Sequence, residues 1–199
     1  MTFVGVQLLE LSVCGAMQGC QEKNKRHFDI GRYAVVVLLT MENDFRDSRG
    51  AQLTAQAVVN EIRRFMCVAP DWRYKIVIGS DSQLCGANLT DFVTAVVVHR
   101  VGNGGRYFWK RIAGQRSFSL RDRIIKEVML SLETALEILA ILRRHPDIRF
   151  DFEVHADVGE NGRSSALIAE VTGMIRAYNF TFKTKPESYA ASSVADKHV

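Results

Sequence analysis

The stretch KIVIGS at residues 75–80 decides the fold, because it is a short apolar and β-branched run bounded by polar residues. Runs of this length and composition are typical of strands that are buried on both faces of a sheet. Asp81 follows directly, within the sequence GSDS. We therefore predict a central strand at 75–80 and place Asp81 just past its C-terminal end.

Two further strands are predicted to continue from this one as an antiparallel meander. Residues 91–101 (DFVTAVVVHRV) are rich in β-branched residues, and residues 106–112 (RYFWKRI) combine aromatic with basic residues. The sequence NGG at 103–105 lies between them and is a strong signal for a tight hairpin turn. The three strands should therefore follow one another without an intervening helix.

Helices and strands alternate in the rest of the predicted domain. A long helix at 120–144 presents an apolar stripe that includes Leu132 and Leu136. Residues 148–157 (IRFDFEVHAD) then alternate between apolar and polar residues, as a half-buried strand does, and they end on Asp157. The remaining predicted elements are a helix that Thr54 caps and Pro70 ends, a helix at 163–178, a short strand at 180–183 and a helix at 186–197.

The order of these elements predicts an α/β fold with a five-stranded mixed sheet and helices on both of its faces. Strands one to three form the meander, and strands four and five are parallel. The strand–helix–strand connection should be right-handed and most simply places the fourth strand parallel to the first and beside it. The carboxylates of Asp81 and Asp157 should then approach each other at one edge of the sheet.

The composition is that of an ordinary globular chain, with 47% hydrophobic and 24% charged residues among 199. A net charge of +4 permits an acidic partner such as nucleic acid without demanding one. No apolar run approaches the roughly 20 residues of a membrane span, so we expect no membrane partner. The four cysteines lack the spacing of zinc ligands. These features predict a cytoplasmic protein and leave its oligomeric state open.

Residues 1–40 differ from the rest of the chain, because they mix short apolar pieces with a basic stretch at 23–27 and show no sustained period. Met41 and the polar residues after it would make a natural start for a chain. We predict an N-terminal appendage at 1–40 and the folded domain at 45–199. An extra strand at 33–39 that pairs with a sheet edge is the alternative, and it stays open.

Two carboxylates at one sheet edge suggest a metal site. They repel each other, and their approach is costly unless cations share them. Mg²⁺ is commonly bound through one or two carboxylates together with substrate phosphate, and bound ions can activate water against a phosphodiester. The alternative is structural: Asp81 caps a turn, and Asp157 continues the polar side of its strand.

Basic residues indicate a polyanionic substrate. Between residues 100 and 126 eight Lys or Arg residues stand against one acid, and aromatic residues are interleaved with them. Arg106, Lys110 and Arg121 are the candidates from this run for neutralising phosphates. Arg163, at the predicted start of a helix after Asp157, is a further candidate. A strand with a solvated basic face and core aromatics is the alternative.

Three segments resemble the YkuK-like family, a bacterial group placed in the ribonuclease H-like superfamily. They are IGSDSQ at 78–83, HADVGENGRSSALIAEVTGMI at 155–175 and KPESYAASSVADKH at 185–198. The resemblance covers about residues 45–199 and leaves residues 1–40 unexplained. It implies a ribonuclease H-like fold for the domain.

The superfamily pattern places acids on the first strand, the first long helix, the fourth strand and near the last helix. Asp81 and Asp157 match the two strand positions, and Glu127 is the best match on the helix. Asp196 matches the last position, with His198 as the alternative. The resemblance thus implies a Mg²⁺- or Mn²⁺-dependent nuclease acting on RNA, DNA or a hybrid. A ribonuclease H-like module that binds nucleic acid or protein without catalysis is the second interpretation.

Overall fold

The computed structural model describes residues 45–116, 119–160, 164–189 and 191–198. Its strands are β1 (Phe45–Asp47), β2 (Gln52–Leu53), β3 (Tyr74–Gly86), β4 (Leu89–Arg100), β5 (Gly105–Arg116), β6 (Asp151–His155) and β7 (Thr181–Lys183). Its α-helices are α1 (Ala55–Cys67), α2 (Leu120–Leu142) and α3 (Ile168–Ala177), with short helical turns at Ser165–Leu167, Ala191–Ala195 and Asp196–His198. The predicted appendage at 1–40 lies outside the described residues.

The strands form one mixed sheet in the order β2-β1-β5-β4-β3-β6-β7. The antiparallel meander of β3, β4 and β5 is confirmed, and β6 lies parallel to β3 and beside it, with β7 parallel to β6. The predicted number of five strands is wrong, because β1 and β2 add a hairpin next to β5. Strands of three and two residues are too short to show an alternating pattern in the sequence.

The boundaries of β3 and β6 differ from those predicted, and the difference bears on the acids. β3 continues through Asp81 to Gly86 because its pairing with β4 holds, with Asp81 opposite Val93. Asp81 therefore lies inside a strand, and its predicted place past the strand end is wrong. β6 ends earlier than predicted, at His155, so Asp157 lies in the segment that follows it.

The two faces of the sheet are covered differently. The three α-helices pack on one face, where buried residues such as Ile76, Ile78 and Val154 contact the apolar sides of the helices. On the other face Val77 and Val97 belong to a smaller apolar cluster with Ala195 of the C-terminal helical turns. Helices on both faces are thus confirmed, with a short helical segment on one of them.

The long helix α2 begins where the sequence places it and packs along the centre of the sheet. Ser119 caps it by accepting a hydrogen bond from the Asp122 backbone N–H at 3.1 Å. Ser131 on α2 shares a buried hydrogen bond of 2.8 Å with Ser80 of β3, which is bonded at the same distance to Thr94 of β4. This chain of hydroxyls ties α2 to the two central strands.

Not all of the predicted stripe of α2 faces the core. Leu132 is 4% exposed, whereas Leu136 is 37% exposed.

Within the described ranges, no helix is both long and apolar enough to cross a membrane.

These two leucines provide a matched test of the packing. Leu132→Ala should lower the free energy of unfolding by about 2–5 kcal/mol, because it removes buried methyl groups and leaves a cavity. Leu136→Ala changes the same residue type on the same helix and should cost less than about 1 kcal/mol. Urea denaturation followed by circular dichroism measures both, and equal losses would contradict this placement of α2.

Candidate functional site

The candidate site lies where the parallel pairing between β3 and β6 stops. The last pair in this ladder is Gly79 with His155, and beyond it β3 continues from Ser80 to Gly86 alongside β4. Continuing the register by two residues sets Asp157 opposite Asp81. The charge of Asp157 also raises the pKa of the Asp81 carboxyl, in agreement with this placement. The sequence-based prediction that these acids approach each other is therefore supported by the described strand pairing.

Asp81 is partly buried and surrounded by other acids. Burial raises the pKa of the Asp81 carboxyl, and the charges of Asp157 and Asp196 raise it further. The Ser82 backbone N–H opposes this rise by donating a hydrogen bond of 2.8 Å to Asp81 Oδ1. Asp81 thus lies at the centre of a cluster of carboxylates that are costly to ionise together.

Glu127 reaches the same cluster from α2. It is buried, and its Oε1 accepts a hydrogen bond of 2.5 Å from the Ser82 hydroxyl. Burial raises the pKa of Glu127 to about 8, and the charges of Asp81 and Asp157 contribute to the rise. Glu127 and Asp157 also line the same narrow crevice. The buried Glu127 side chain is therefore protonated at neutral pH when no other cation is close.

A cation from α2 partly balances these acids. Arg123, one helical turn before Glu127, donates hydrogen bonds to the Ser82 hydroxyl at 3.1 Å and to the Ser82 backbone carbonyl at 3.0 Å. Its charge lowers the pKa values of both Asp81 and Glu127. The sequence analysis did not single out Ser82 or Arg123. Ser82 lies within the family segment IGSDSQ, which is the signal that could have identified it.

A second cation holds Asp157. Lys185 Nζ lies 3.0 Å from Asp157 Oδ2. The other oxygen, Asp157 Oδ1, is buried and has no hydrogen-bond partner among the described residues. A buried carboxylate oxygen without a partner is costly, and an ion is one group that can satisfy it. Lys185 was also missed from the sequence, although it opens the family segment KPESYAASSVADKH.

The C-terminal turns bring one of the two predicted residues to the cluster. Asp196 is exposed, and its charge raises the pKa of Asp81. The His198 ring instead stacks on Trp109 of β5, with ring centroids 4.3 Å apart. Of the two alternatives for the fourth position, Asp196 is the one that faces Asp81.

Three of the four predicted phosphate-binding residues are ion-paired with glutamates other than Glu127. Arg106 pairs with Glu61 at 3.3 Å, Lys110 with Glu137 at 3.5 Å and Arg121 with Glu170 at 2.5 Å. Arg163 lies outside the described residues. Arg121 also lines a groove of about 330 Å³ between β5 and α2, together with Arg116 and Lys126. Arg121 is thus the predicted residue that belongs to a continuous basic surface.

The donor set suits a hard divalent cation. Within the four described ranges, no three acidic, histidine or cysteine side chains stand close enough together to hold one ion. Mg²⁺ needs only one or two protein carboxylates when water and substrate phosphate complete its shell. Such an ion would give Asp157 Oδ1 the partner that it lacks among the described residues. It would also stabilise the ionised forms of Asp81 and Glu127, whose pKa values are raised in its absence. Asp81 and Asp157 are the two carboxylates that would hold it, and Glu127, the predicted third ligand, lines the same crevice as Asp157 and would have to move closer to join them.

The raised pKa of Glu127 predicts a stability that falls with rising pH. A glutamate with a pKa of 4.5 in the unfolded chain and about 8 in the fold stabilises the folded state fully below pH 4.5. This contribution, at most about 5 kcal/mol, is lost as the pH rises through 8. With a chelator present, the free energy of unfolding of Glu127→Gln relative to that of the wild type should therefore be higher at pH 9 than at pH 5.

Urea denaturation at the two pH values measures this effect. Glu133→Gln is the matched control, because Glu133 is an exposed glutamate on the same helix. It should not change the pH dependence. A Glu127→Gln curve parallel to that of the wild type would show that Glu127 does not titrate in this interval.

Comparison with known proteins agrees with the architecture. A family model described as Ribonuclease H-like matches residues 57–199. The protein named "Uncharacterized protein YkuK" of Bacillus subtilis (strain 168) is 36% identical over 158 residues, which cover 74% of this chain and 91% of that protein. No solved structure matches the chain significantly. With this match and the mixed sheet described above, the chain belongs to the YkuK-like family of the ribonuclease H-like superfamily.

Proposed function

We propose that this protein is a divalent-metal-dependent nuclease that hydrolyses phosphodiester bonds of RNA, DNA or an RNA/DNA hybrid. The observation that carries the proposal is the convergence of acids from separate elements: the β3–β6 register sets Asp157 opposite Asp81, and Glu127 of α2 lines the same crevice as Asp157. The charges of Asp157 and Asp196 raise the pKa of Asp81, and those of Asp81 and Asp157 raise the pKa of Glu127. Such a gathering raises the free energy of the fold unless it is used to bind cations. Family membership supports the same interpretation, since the ribonuclease H-like fold is compatible with nucleic-acid chemistry.

The chemistry follows from the residues at the edge. Mg²⁺ or Mn²⁺ bound by Asp81, Asp157 and Glu127 would supply an activated water and stabilise the leaving oxygen of the scissile phosphodiester. Ser82 and Arg123 hold the Glu127 carboxyl in place through the hydrogen bonds described above. Asp196, exposed at the rim, is suited to accept a proton from a water molecule.

The basic groove supports a long polyanionic substrate. Arg116, Arg121 and Lys126 line it, with Asp122 as the one acid among its lining residues. The N-terminal part of α2 carries both groove-lining residues such as Arg121 and Lys126 and, interleaved with them along the chain, Arg123 and Glu127. A nucleic-acid strand in the groove would therefore run beside the helix that contributes Glu127.

A non-catalytic binding module is the second candidate. The ion pair between Lys185 and Asp157 favours it, because a carboxylate that is already neutralised by lysine gains less from binding a metal. In this case the basic groove would bind nucleic acid and the acidic cluster would be structural.

Replacing the central acid separates the two candidates. Asp81→Asn should lower the rate of Mn²⁺-dependent cleavage of labelled RNA, DNA and hybrid duplexes by at least about 100-fold, because it removes a proposed metal ligand. The matched control is Asp71→Asn, since Asp71 is exposed in the turn before β3. Cleavage should survive in this control. Tight binding of nucleic acid by the wild type without cleavage in Mg²⁺ or Mn²⁺ would favour the binding module.

The groove is tested by salt dependence. Arg121→Gln should weaken nucleic-acid binding and lower the slope of log K against log salt by about 0.7–0.9, the effect of one lost phosphate contact. Arg143→Gln, an exposed arginine at the other end of α2, is the control and should leave the slope unchanged. Equal effects of both substitutions would show that binding depends on net charge rather than on the groove.

A further inference from the structure

Lys185 is held against the acidic cluster by its backbone as well as by its charge. The Lys185 backbone N–H donates to the Val158 carbonyl at 2.8 Å, and the Ala156 N–H donates to the Lys183 carbonyl at 3.0 Å. These two bonds continue the pairing of β6 and β7 past the ends of both strands. The position of Lys185 beside Asp157 is thus set by the main chain.

Gly159 makes this close approach possible. A Cβ atom added to Gly159 would lie 3.1 Å from the Lys185 Cβ, which is tighter than an ordinary van der Waals contact. A side chain at position 159 would therefore press on Lys185 near its ion pair. The absence of a side chain at Gly159 therefore leaves room for Lys185 beside Asp157.

The two oxygens of Asp157 have different surroundings. Oδ2 is 3.0 Å from Lys185 Nζ, while Oδ1 is buried without a partner in the described part of the chain. Lys185 is about half exposed and so approaches from the solvent side, whereas Glu127 and Asp157 share the crevice on the inner side. One oxygen is therefore neutralised by Lys185, and the other is buried without a described partner on a side chain that lines the same crevice as Glu127.

The charges of the site support a single divalent ion. A bound cation favours the ionised form of Glu127. With all four acids ionised, Asp81, Glu127, Asp157 and Asp196 carry four negative charges, which Arg123 and Lys185 reduce to two. One divalent cation neutralises that remainder. A second ion would leave two excess positive charges in a partly buried site, which is unfavourable.

We propose that Lys185 is a positioning residue that takes the place of a second metal ion, so that the cluster binds one divalent cation per chain. This inference rests on the proposed metal-dependent function and specifies how its site is built. Lys185 neutralises Asp157 through Oδ2, and the single ion is bound through the Oδ1 side together with Asp81. With Lys185 removed, Asp157 Oδ2 loses its cation and the site carries three net negative charges instead of two. A second ion then leaves one excess positive charge instead of two, and it can bind.

Titration calorimetry of the full chain with Mn²⁺ tests the stoichiometry. The wild type should bind one Mn²⁺ per chain, and Lys185→Met should bind two, because methionine keeps much of the apolar stem and removes the charge. Lys183→Met is the matched control, since Lys183 lies two residues before Lys185 and pairs with Glu187 instead of Asp157. It should bind one ion. Circular dichroism confirms that each variant is folded, and Lys185→Gln replaces Lys185→Met if the latter does not fold.

The outcomes separate this inference from the proposed function. Two ions in the wild type, or one ion in both the wild type and Lys185→Met, would overturn the role of Lys185 while leaving a metal-dependent nuclease in place. No Mn²⁺ bound by either protein would overturn the metal-dependent function, and the inference with it. Two ions in Lys183→Met as well would show that any loss of positive charge nearby has this effect and would also overturn it.

Discussion

The repulsion among carboxylates at the edge between β3 and β6 is the constraint on which the rest of the site depends. Burial raises the pKa values of Asp81 and Glu127, the charge of Asp157 raises both further, and the charge of Asp196 adds to the rise at Asp81. Three features offset this negative charge, which would otherwise destabilise the fold. They are the proton on Glu127, the hydrogen bonds from Arg123 to Ser82, and the ion pair between Lys185 and Asp157.

The unequal lengths of neighbouring strands create the place where this chemistry is possible. β3 continues past the residue at which its pairing with β6 ends. From Ser80 onward, one side of β3 is therefore not paired with a strand of the described sheet. α2 on one face and the C-terminal turns on the other both reach this edge. Residues from both sides of the sheet thus meet at a single point, although the sheet itself separates most of the two faces.

The order of β3 to β7 was predictable from the sequence because it depends mostly on long, regular patterns, whereas β1 and β2 were missed. The meander, the long helix and the parallel fourth strand all show clear periodicity, and their connections restrict the topology. The extension of β3 through Asp81 was not predictable, since polar residues there are tolerated only because β4 pairs with them. The same holds for Lys185 and Arg123, whose roles depend on contacts 28 and 41 residues away along the chain. Arg106 and Lys110 were plausible phosphate ligands from local charge alone, but their acidic partners lie on the distant helices α1 and α2.

The place of Asp81 inside a strand gives the site a fixed reference point. Pairing with Val93 on β4 holds its backbone, while Asp157 follows the end of β6 and Asp196 begins a short terminal turn. Loop segments and short turns open and shift at lower free energy than central strands. Main-chain hydrogen bonds of Ala156 and Val158 to the end of β7 and the residues after it hold Asp157 from both sides. We therefore expect any tightening of the cluster around a bound molecule to move Asp196 toward Asp81 and Asp157. The site thus combines two acids fixed by strand pairing with one acid on a short terminal turn.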